Sequence, residues 1–290
     1  MFTGAMVALI TPFQNGEVDF ETLDELIGFQ IENGIDAIVP VGTTGECPTL
    51  THEEHKKVIE RVVKTVAGAV PVIAGAGSNS TAEAIELTAF SKKVGADATL
   101  QVCPYYNKPT QEGFYQHFKV LAEEVDLPIV LYNIPGRCGA GLTADTVVRL
   151  AAVENIVAIK EATGSLDMAS EIATRCDITI ISGDDSLTLP IASVGGKGVI
   201  SVVANIVPAD VKAMTDLILE GDLVSARQWH NKLFALSKNM LGLATNPIPV
   251  KAAMAMLNMA SEEMRLPMVP MEESKKAALR QTLKNYGLLS

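Results

Sequence analysis

Eight short runs rich in Val, Ile and Ala recur along the chain, at 6–12, 37–42, 71–77, 98–104, 128–135, 156–162, 178–183 and 198–204, each apolar almost throughout. A strand with one wet face alternates apolar and polar residues; runs like these need apolar neighbours on both faces, as in a parallel sheet covered by helices. Longer stretches with helical spacing lie between them. Leu23, Leu26, Ile27 and Ile31 form the apolar stripe of 20–33, Val58, Ile59, Val62 and Val63 that of 51–66, and 81–94 behaves the same way. Successive strands start roughly 25–30 residues apart, the spacing of βα units. Eight units predict a closed (β/α)8 TIM barrel in the α/β class, with an open doubly wound sheet as the alternative the same alternation allows. Helical patterns continue after the eighth run, over 208–219, 222–241, 247–258 and 272–286. The barrel needs only one of them. The expected organisation is a barrel over 1–220 and a C-terminal helical extension over 221–290 packed on it as a single structural unit.

Composition narrows the function classes. The 290 residues are 48% hydrophobic and 20% charged, enough for a sizeable core, and the net charge of −11 disfavours a grip on nucleic-acid phosphates. Cys47, Cys103, Cys138 and Cys176 form no C-x-x-C pair, so neither a disulfide framework nor a zinc-finger set is expected. The start, Met1-Phe2-Thr3-Gly4-Ala5, lacks a basic n-region and a long apolar h-region. No apolar run approaches the roughly 18–20 residues of a membrane helix. A cytoplasmic enzyme acting on small molecules fits this balance.

In such a barrel the reactive groups lie at the C-terminal ends of the strands. Those ends collect hydroxyls, one lysine and one arginine. Lys160 ends the run Ile156-Val157-Ala158-Ile159, pointing toward the barrel mouth. Desolvated there, its amine would lose part of its basicity, attack a carbonyl and form an iminium that acts as an electron sink. A lysine snorkelling at the rim is the other reading of that position. Tyr132 ends the preceding strand and would lie beside it, as a proton shuttle or as a rim aromatic with a satisfied hydroxyl. Gly42-Thr43-Thr44-Gly45-Glu46 follows the second strand, and its amides and hydroxyls suit a small carboxylate, though a plain turn fits as well. Arg137, after Pro135-Gly136, is a carboxylate-binding fork or a surface arginine.

Three patterns point elsewhere and are weaker. Gly75-Ala76-Gly77-Ser78-Asn79-Ser80 lacks the third glycine of a dinucleotide fingerprint. His52-Glu53-Glu54-His55 spaces its histidines three apart, not four as in zinc proteases, and reads as a charged helix face. Asp184 and Asp185, adjacent in an extended segment, would point to opposite sides and form no metal clamp.

Taken with Lys160-Glu161-Ala162-Thr163-Gly164, Tyr132-Asn133-Ile134-Pro135-Gly136-Arg137 and Asn246-Pro247-Ile248-Pro249-Val250-Lys251, the glycine–threonine motif resembles the signatures of the dihydrodipicolinate synthase family, within the pyruvate-dependent class I aldolases, and the likeness runs the length of the chain. The resemblance implies a lyase of lysine and diaminopimelate biosynthesis that condenses pyruvate with L-aspartate 4-semialdehyde, with no metal or other cofactor beyond the Schiff base on Lys160. It implies that Tyr132 relays protons with Thr43, and that Tyr106 enters the neighbouring subunit's site to complete the relay. Thr44 would hold the pyruvate carboxylate, Ile200 would place its carbonyl near the keto acid, and Arg137 would bind the second substrate's carboxylate. His52, His55, Asn79, Glu83 and Tyr105 match an allosteric pocket for L-lysine at a dimer interface, although Cys47-Pro48 depart from the small polar residue and alanine often found there. A homotetramer built as a dimer of dimers is the expected assembly. Sibling aldolases, cleaving N-acetylneuraminate or keto-deoxy sugar acids, share the lysine, tyrosine and threonine motif; Arg137 and Tyr106 suit a short amino-acid aldehyde better. A non-catalytic sensor of keto acid or lysine is a further alternative, against which the intact set of Lys160, Tyr132, Thr43 and Arg137 argues.

Overall fold

The computed structural model describes residues 2–290; Met1, where the expected barrel domain begins, lies outside the described residues. Eight strands make one parallel sheet: β1 (Gly4–Ala8), β2 (Ala37–Val39), β3 (Ile73–Gly75), β4 (Ala98–Val102), β5 (Ile129–Asn133), β6 (Ile156–Glu161), β7 (Thr179–Ser182) and β8 (Gly198–Ser201). Their order is β2-β1-β8-β7-β6-β5-β4-β3. The two ends of that order meet, because Ile38 bridges Val72 in parallel. The Ile38 N–H donates to Pro71 O at 3.0 Å and the Gly75 N–H to Pro40 O at 2.9 Å across the same seam. The sheet is therefore a closed barrel, and the open-sheet alternative falls away.

A helix follows each strand: α1 (Phe20–Glu32), α2 (His52–Val66), α3 (Thr81–Val94), α4 (Gln111–Glu124), α5 (Ala144–Leu150), α6 (Leu166–Ala173), α7 (Thr188–Ser193) and α8 (Pro208–Leu219). Side-chain caps fix where several of them begin. Asp19 accepts from the Thr22 N–H, Thr143 from Thr146, and Thr51 from Glu54 in a full capping box, each cap stabilising its helix by about 1 kcal/mol. Then come α9 (Leu223–Gly242), α10 (Ile248–Met256) and α11 (Glu273–Tyr286).

Strands are shorter than the apolar runs that announce them. The run 37–42 keeps only three residues in the sheet, because Val41 turns the chain out at φ 54°. The first strand is Gly4–Ala8 rather than 6–12; beyond it Thr11 leaves the ladder and donates its hydroxyl to Gly45 O at 2.7 Å. Apolar content does not distinguish a strand from the buried turn that follows it. A small hairpin, Phe13–Gln14 with Glu17–Val18, turns on Asn15-Gly16, both at positive φ. Asn-Gly is a strong hairpin signal, but apolar periodicity passes over it.

Alternate residues of the strands fill the barrel, among them Met6, Val39, Ile73, Leu100, Val130, Tyr132, Ala158, Ile181 and Ile200. The opposite faces pack on the helices. One of the two strand–helix layers runs without a break from Ile38 and Ile59 to Leu236, Val250, Met254 and Leu283 of the last helices, so barrel and extension share a core.

At the seam, a Cβ on Gly75 would fall 2.2 Å from Val41 O. Gly75→Ala is accordingly expected to lower unfolding free energy by about 1–3 kcal/mol in chemical denaturation. Gly28 of α1 has open space around its Cβ position, and Gly28→Ala is expected to raise stability by about 0.5–1 kcal/mol. Equal effects of the two changes would refute the role of close approach at the seam.

Candidate active site

Register places the central pair. Tyr132 on β5 is the sheet partner of Lys160 on β6, which in turn pairs with Ile181 on β7. Both side chains belong to the barrel interior, and the Lys160 Nζ lies 4.3 Å from the centre of the Tyr132 ring. Lys160 is 6% exposed, so water does little to solvate its charged form. Burial lowers its pKa to about 8; the Asp185 carboxylate pulls against that fall and Arg137 adds to it. At neutral pH about a tenth of such an amine is uncharged. Burial also pushes the Tyr132 phenol up to about 12, moderated by hydrogen bonding to the Thr43 side chain. The phenol therefore keeps its proton and can donate it. A partly neutral amine and a protonated phenol stand side by side.

The Gly42–Glu46 segment lies beside Tyr132 as a tight turn, with the Gly45 and Cys47 N–H groups donating to Gly42 O at 3.1 and 3.3 Å. Thr43, Cys47, Gly75, Leu100 and Tyr132 line a small cleft beneath it. Thr44 is buried and accepts from Asn246 Nδ2 at 3.0 Å. The same asparagine's backbone carbonyl accepts from Arg137 Nη2 at 2.9 Å. Arg137 sits in a helical turn, Pro135–Cys138, rather than in an irregular loop. Beside it a cavity of about 170 Å³ is lined by Thr43, Arg137, Asn246, Pro267 and Met268. Asn246 thus joins the two residues assigned to carboxylates, a role its motif did not disclose in sequence. Ile200, on β8, is buried in the barrel interior with Tyr132.

The turn is anchored from behind. Glu46, at φ 54°, forms a fully buried ion pair with Lys251 of α10. Lys251 Nζ also donates to Glu263 O at 2.9 Å, and the Arg265 N–H reaches the Glu46 carboxylate at 3.3 Å. The Phe13 ring lies against both cations, 4.2 Å from Lys251 Nζ and 4.6 Å from the Arg265 guanidinium. Burial lowers the pKa of Lys251 and Glu46 opposes it. This second buried amine is occupied by its partners and does not line the cleft beneath the turn.

Tyr106 does not line the cleft of Thr43 and Tyr132. It is 89% exposed, with φ 69°. A separate polar group lies where α2, α3 and the loop after β4 meet. His52 contacts Glu83 at 2.6 Å, Glu83 bonds the Ser78 hydroxyl, and Asn79 Nδ2 donates to Tyr105 O at 3.1 Å. His55 departs from the expected charged helix face: it is buried and its Nε2 bonds Gly75 O at 2.7 Å.

The aspartates also depart from expectation. Asp185–Leu187 is a 3-10 turn, not an extended segment, capped by Asp184 through the Ser186 N–H at 2.9 Å. Asp185 is buried and accepts from the Ser201 hydroxyl and from the N–H groups of Val202 and Val203 at 2.9 and 3.3 Å. Burial pushes its carboxyl up to about 6. The two adjacent aspartates differ in kind, since Asp185 alone is a buried carboxylate. Its signal was its place on the seventh strand's rim. Among the described residues no group of three or more His, Cys, Asp or Glu is disposed to hold a metal ion.

The model of the Dihydrodipicolinate synthetase family matches residues 1–286. The chain is 56% identical to the 4-hydroxy-tetrahydrodipicolinate synthase of Geotalea uraniireducens strain Rf4, with all of both chains covered. It superposes on the chloride-inhibited dihydrodipicolinate synthase of Acinetobacter baumannii, solved in complex with pyruvate, with a TM-score of 0.97 at 43% identity and 100% of each chain covered. The Cyanidioschyzon merolae protein, solved with lysine bound, gives a TM-score of 0.95 at 43% identity over 99% of each chain.

Removing one partner of a buried ion pair strands the other charge without water. Glu46→Ala is expected to cost about 3–5 kcal/mol of unfolding free energy, measured in denaturant, whereas substituting an exposed glutamate such as Glu25 should stay within about 0.5 kcal/mol. A loss at Glu46 no larger than the surface control would remove the anchor from this account.

Proposed function

The chain belongs to the Dihydrodipicolinate synthetase family, and on that footing we propose that it is a Schiff-base lyase that condenses pyruvate with L-aspartate 4-semialdehyde, as a 4-hydroxy-tetrahydrodipicolinate synthase of lysine and diaminopimelate biosynthesis. One observation carries the assignment of Lys160: a buried amine with a pKa of about 8 lies directly against a protonated phenol.

The neutral Lys160 amine adds to C2 of pyruvate, giving a carbinolamine. Loss of its hydroxyl as water requires a proton, which Tyr132 supplies and recovers through Thr43, with Tyr106 of a neighbouring copy completing the relay. The iminium so formed draws electrons from the adjacent methyl group, which gives up a proton to become an enamine. The enamine carbon attacks the aldehyde of the second substrate, and the resulting alkoxide takes a proton. The second substrate's amine then adds to the iminium carbon, closes the ring and expels Lys160. The iminium formed on Lys160 is the electron sink, so no separate cofactor enters these steps.

Thr44, fixed by Asn246, holds the pyruvate carboxylate, with the Ile200 carbonyl near the keto acid. Arg137 meets the carboxylate of the semialdehyde. L-Lysine is assigned to the group of His52, His55, Asn79, Glu83 and Tyr105, where Glu83 offers a carboxylate to an ammonium group; lysine bound to the Cyanidioschyzon merolae relative supports this reading. The exposed Tyr106 is available to a neighbouring copy, and the assembly we infer is a homo-oligomer, a tetramer arranged as a dimer of dimers. Residues 1–220 and 221–290 act as one unit, and the biosynthetic role places it in the cytoplasm. No helix among the described residues is long and apolar enough to cross a membrane.

Borohydride reduction with pyruvate present, followed by peptide mass mapping, is expected to place a pyruvate-derived adduct on Lys160 and none on Lys197 or Lys251. Lys160→Ala should abolish both the adduct and turnover, and Tyr132→Phe should lower kcat by roughly 10²–10⁴-fold. An adduct on another lysine, or full activity in Lys160→Ala, would overturn the assignment. Turnover with aspartate 4-semialdehyde and none with N-acetylneuraminate separates this activity from that of the sibling aldolases. Millimolar L-lysine is expected to slow the reaction; an unchanged rate would reject the regulatory site.

A further inference from the structure

The chemistry drawn for Lys160 leaves a buried carboxylate on the adjoining strand end unused. Asp185 begins the turn after β7, and its carboxylate is pinned to the end of β8 by three donors, the Ser201 hydroxyl and the N–H groups of Val202 and Val203. The end of β7 also abuts the reactive lysine, since a Cβ on Gly183 would fall 3.2 Å from Lys160 Cε. The two buried groups of opposite sign therefore occupy adjoining strand ends. Three hydrogen bonds to a carboxylate favour its charged form against burial. A cation in the same dry region has a fixed counter-charge that needs no reorganisation when the cation appears.

We propose that Asp185 is a positioning residue for the Schiff-base reaction: held against β8, its carboxylate is the counter-charge of the Lys160 nitrogen, setting how readily that nitrogen gives up its proton before attack and neutralising the iminium afterwards. It touches neither substrate. The other charged or titratable groups bearing on the lysine are Arg137, which opposes the positive form, and Tyr132, which is neutral over the working range. Asp184, next to Asp185, faces it with a like charge.

The sign of the effect is fixed. A carboxylate beside the amine stabilises the protonated form, so its removal lowers the amine's pKa. Attack on pyruvate needs the neutral amine, and the acid limb of adduct formation must then move to lower pH.

This inference rests on the Lys160 reading, and the test separates the two. The rate of pyruvate-adduct formation, trapped by borohydride, is followed against pH in the full-length protein, in Asp185→Asn and in Ser201→Ala. Asp185→Asn should shift the acid limb down by roughly one pH unit or more. Ser201→Ala loosens the same turn but keeps the charge, and should leave the limb within a few tenths of a unit of the unmodified protein. An unmoved limb in Asp185→Asn, or an equal shift in both variants, overturns the counter-charge role. Absence of an adduct in the unmodified protein would sink the Lys160 reading instead. Should Asp185→Asn fail to fold, as judged by circular dichroism, lysine-ε-¹³C NMR of the unmodified protein decides: the Lys160 resonance should show its own step near pH 8 and a second, smaller one near pH 6, where Asp185 titrates. A single step overturns the proposal.

Discussion

Water is the natural partner of a lysine ammonium, and the barrel mouth withholds it. That exclusion is what the chemistry of this chain depends on. It turns a base that is ordinarily almost wholly charged into one with a usable neutral fraction, and it strengthens the influence of every nearby charge, because interactions weaken less with distance when the medium screens poorly. The strand geometry supplies the exclusion. Parallel pairing sets Tyr132 and Ile181 on either side of Lys160, so the amine is walled by a phenol ring and an aliphatic side chain.

The rest of the mouth is built to keep that arrangement still. Thr43 and Thr44 lie on a turn whose backbone takes left-handed conformations at Val41 and Glu46, positions that cost energy in residues other than glycine and persist only when the surroundings enforce them. Here the enforcement comes from the extension. Lys251 of α10 neutralises Glu46, and Asn246, just before α10, reaches Thr44 and Arg137. The helices beyond the barrel are therefore not a passive covering; they hold the Thr44 and Arg137 side of the mouth, while β7 and β8 hold the buried Asp185 carboxylate. The shared core through Val250 and Met254 gives this bracing its rigidity.

Runs such as Ile156–Glu161 are apolar because both faces of their strands are buried, and that one requirement is written locally, residue by residue. The number of strands, their parallel direction and the place of Lys160 at a strand end were legible for that reason. The ends of strands were less so. Residues such as Leu9 and Val41 are as buried as the strands they follow, and burial without pairing leaves the same apolar mark as burial with it. The role of Asp185 was hidden for a related reason: its meaning lies in Ser201, Val202 and Val203, which are sixteen to eighteen residues away in sequence.

By itself, then, the amino-acid sequence determined an eight-unit α/β architecture, a lysine at the end of the sixth strand, a tyrosine at the end of the fifth and the threonine turn, because each is encoded in a short stretch with its own periodicity or motif. Only the tertiary structure decided that the sheet closes between β2 and β3, that Glu46 is answered by Lys251, that Asn246 links Thr44 to Arg137, and that a buried carboxylate stands near the amine. Each of those facts joins residues brought together by the closing of the barrel. Charge, burial and distance are properties of pairs, and a linear pattern specifies only one member of a pair at a time.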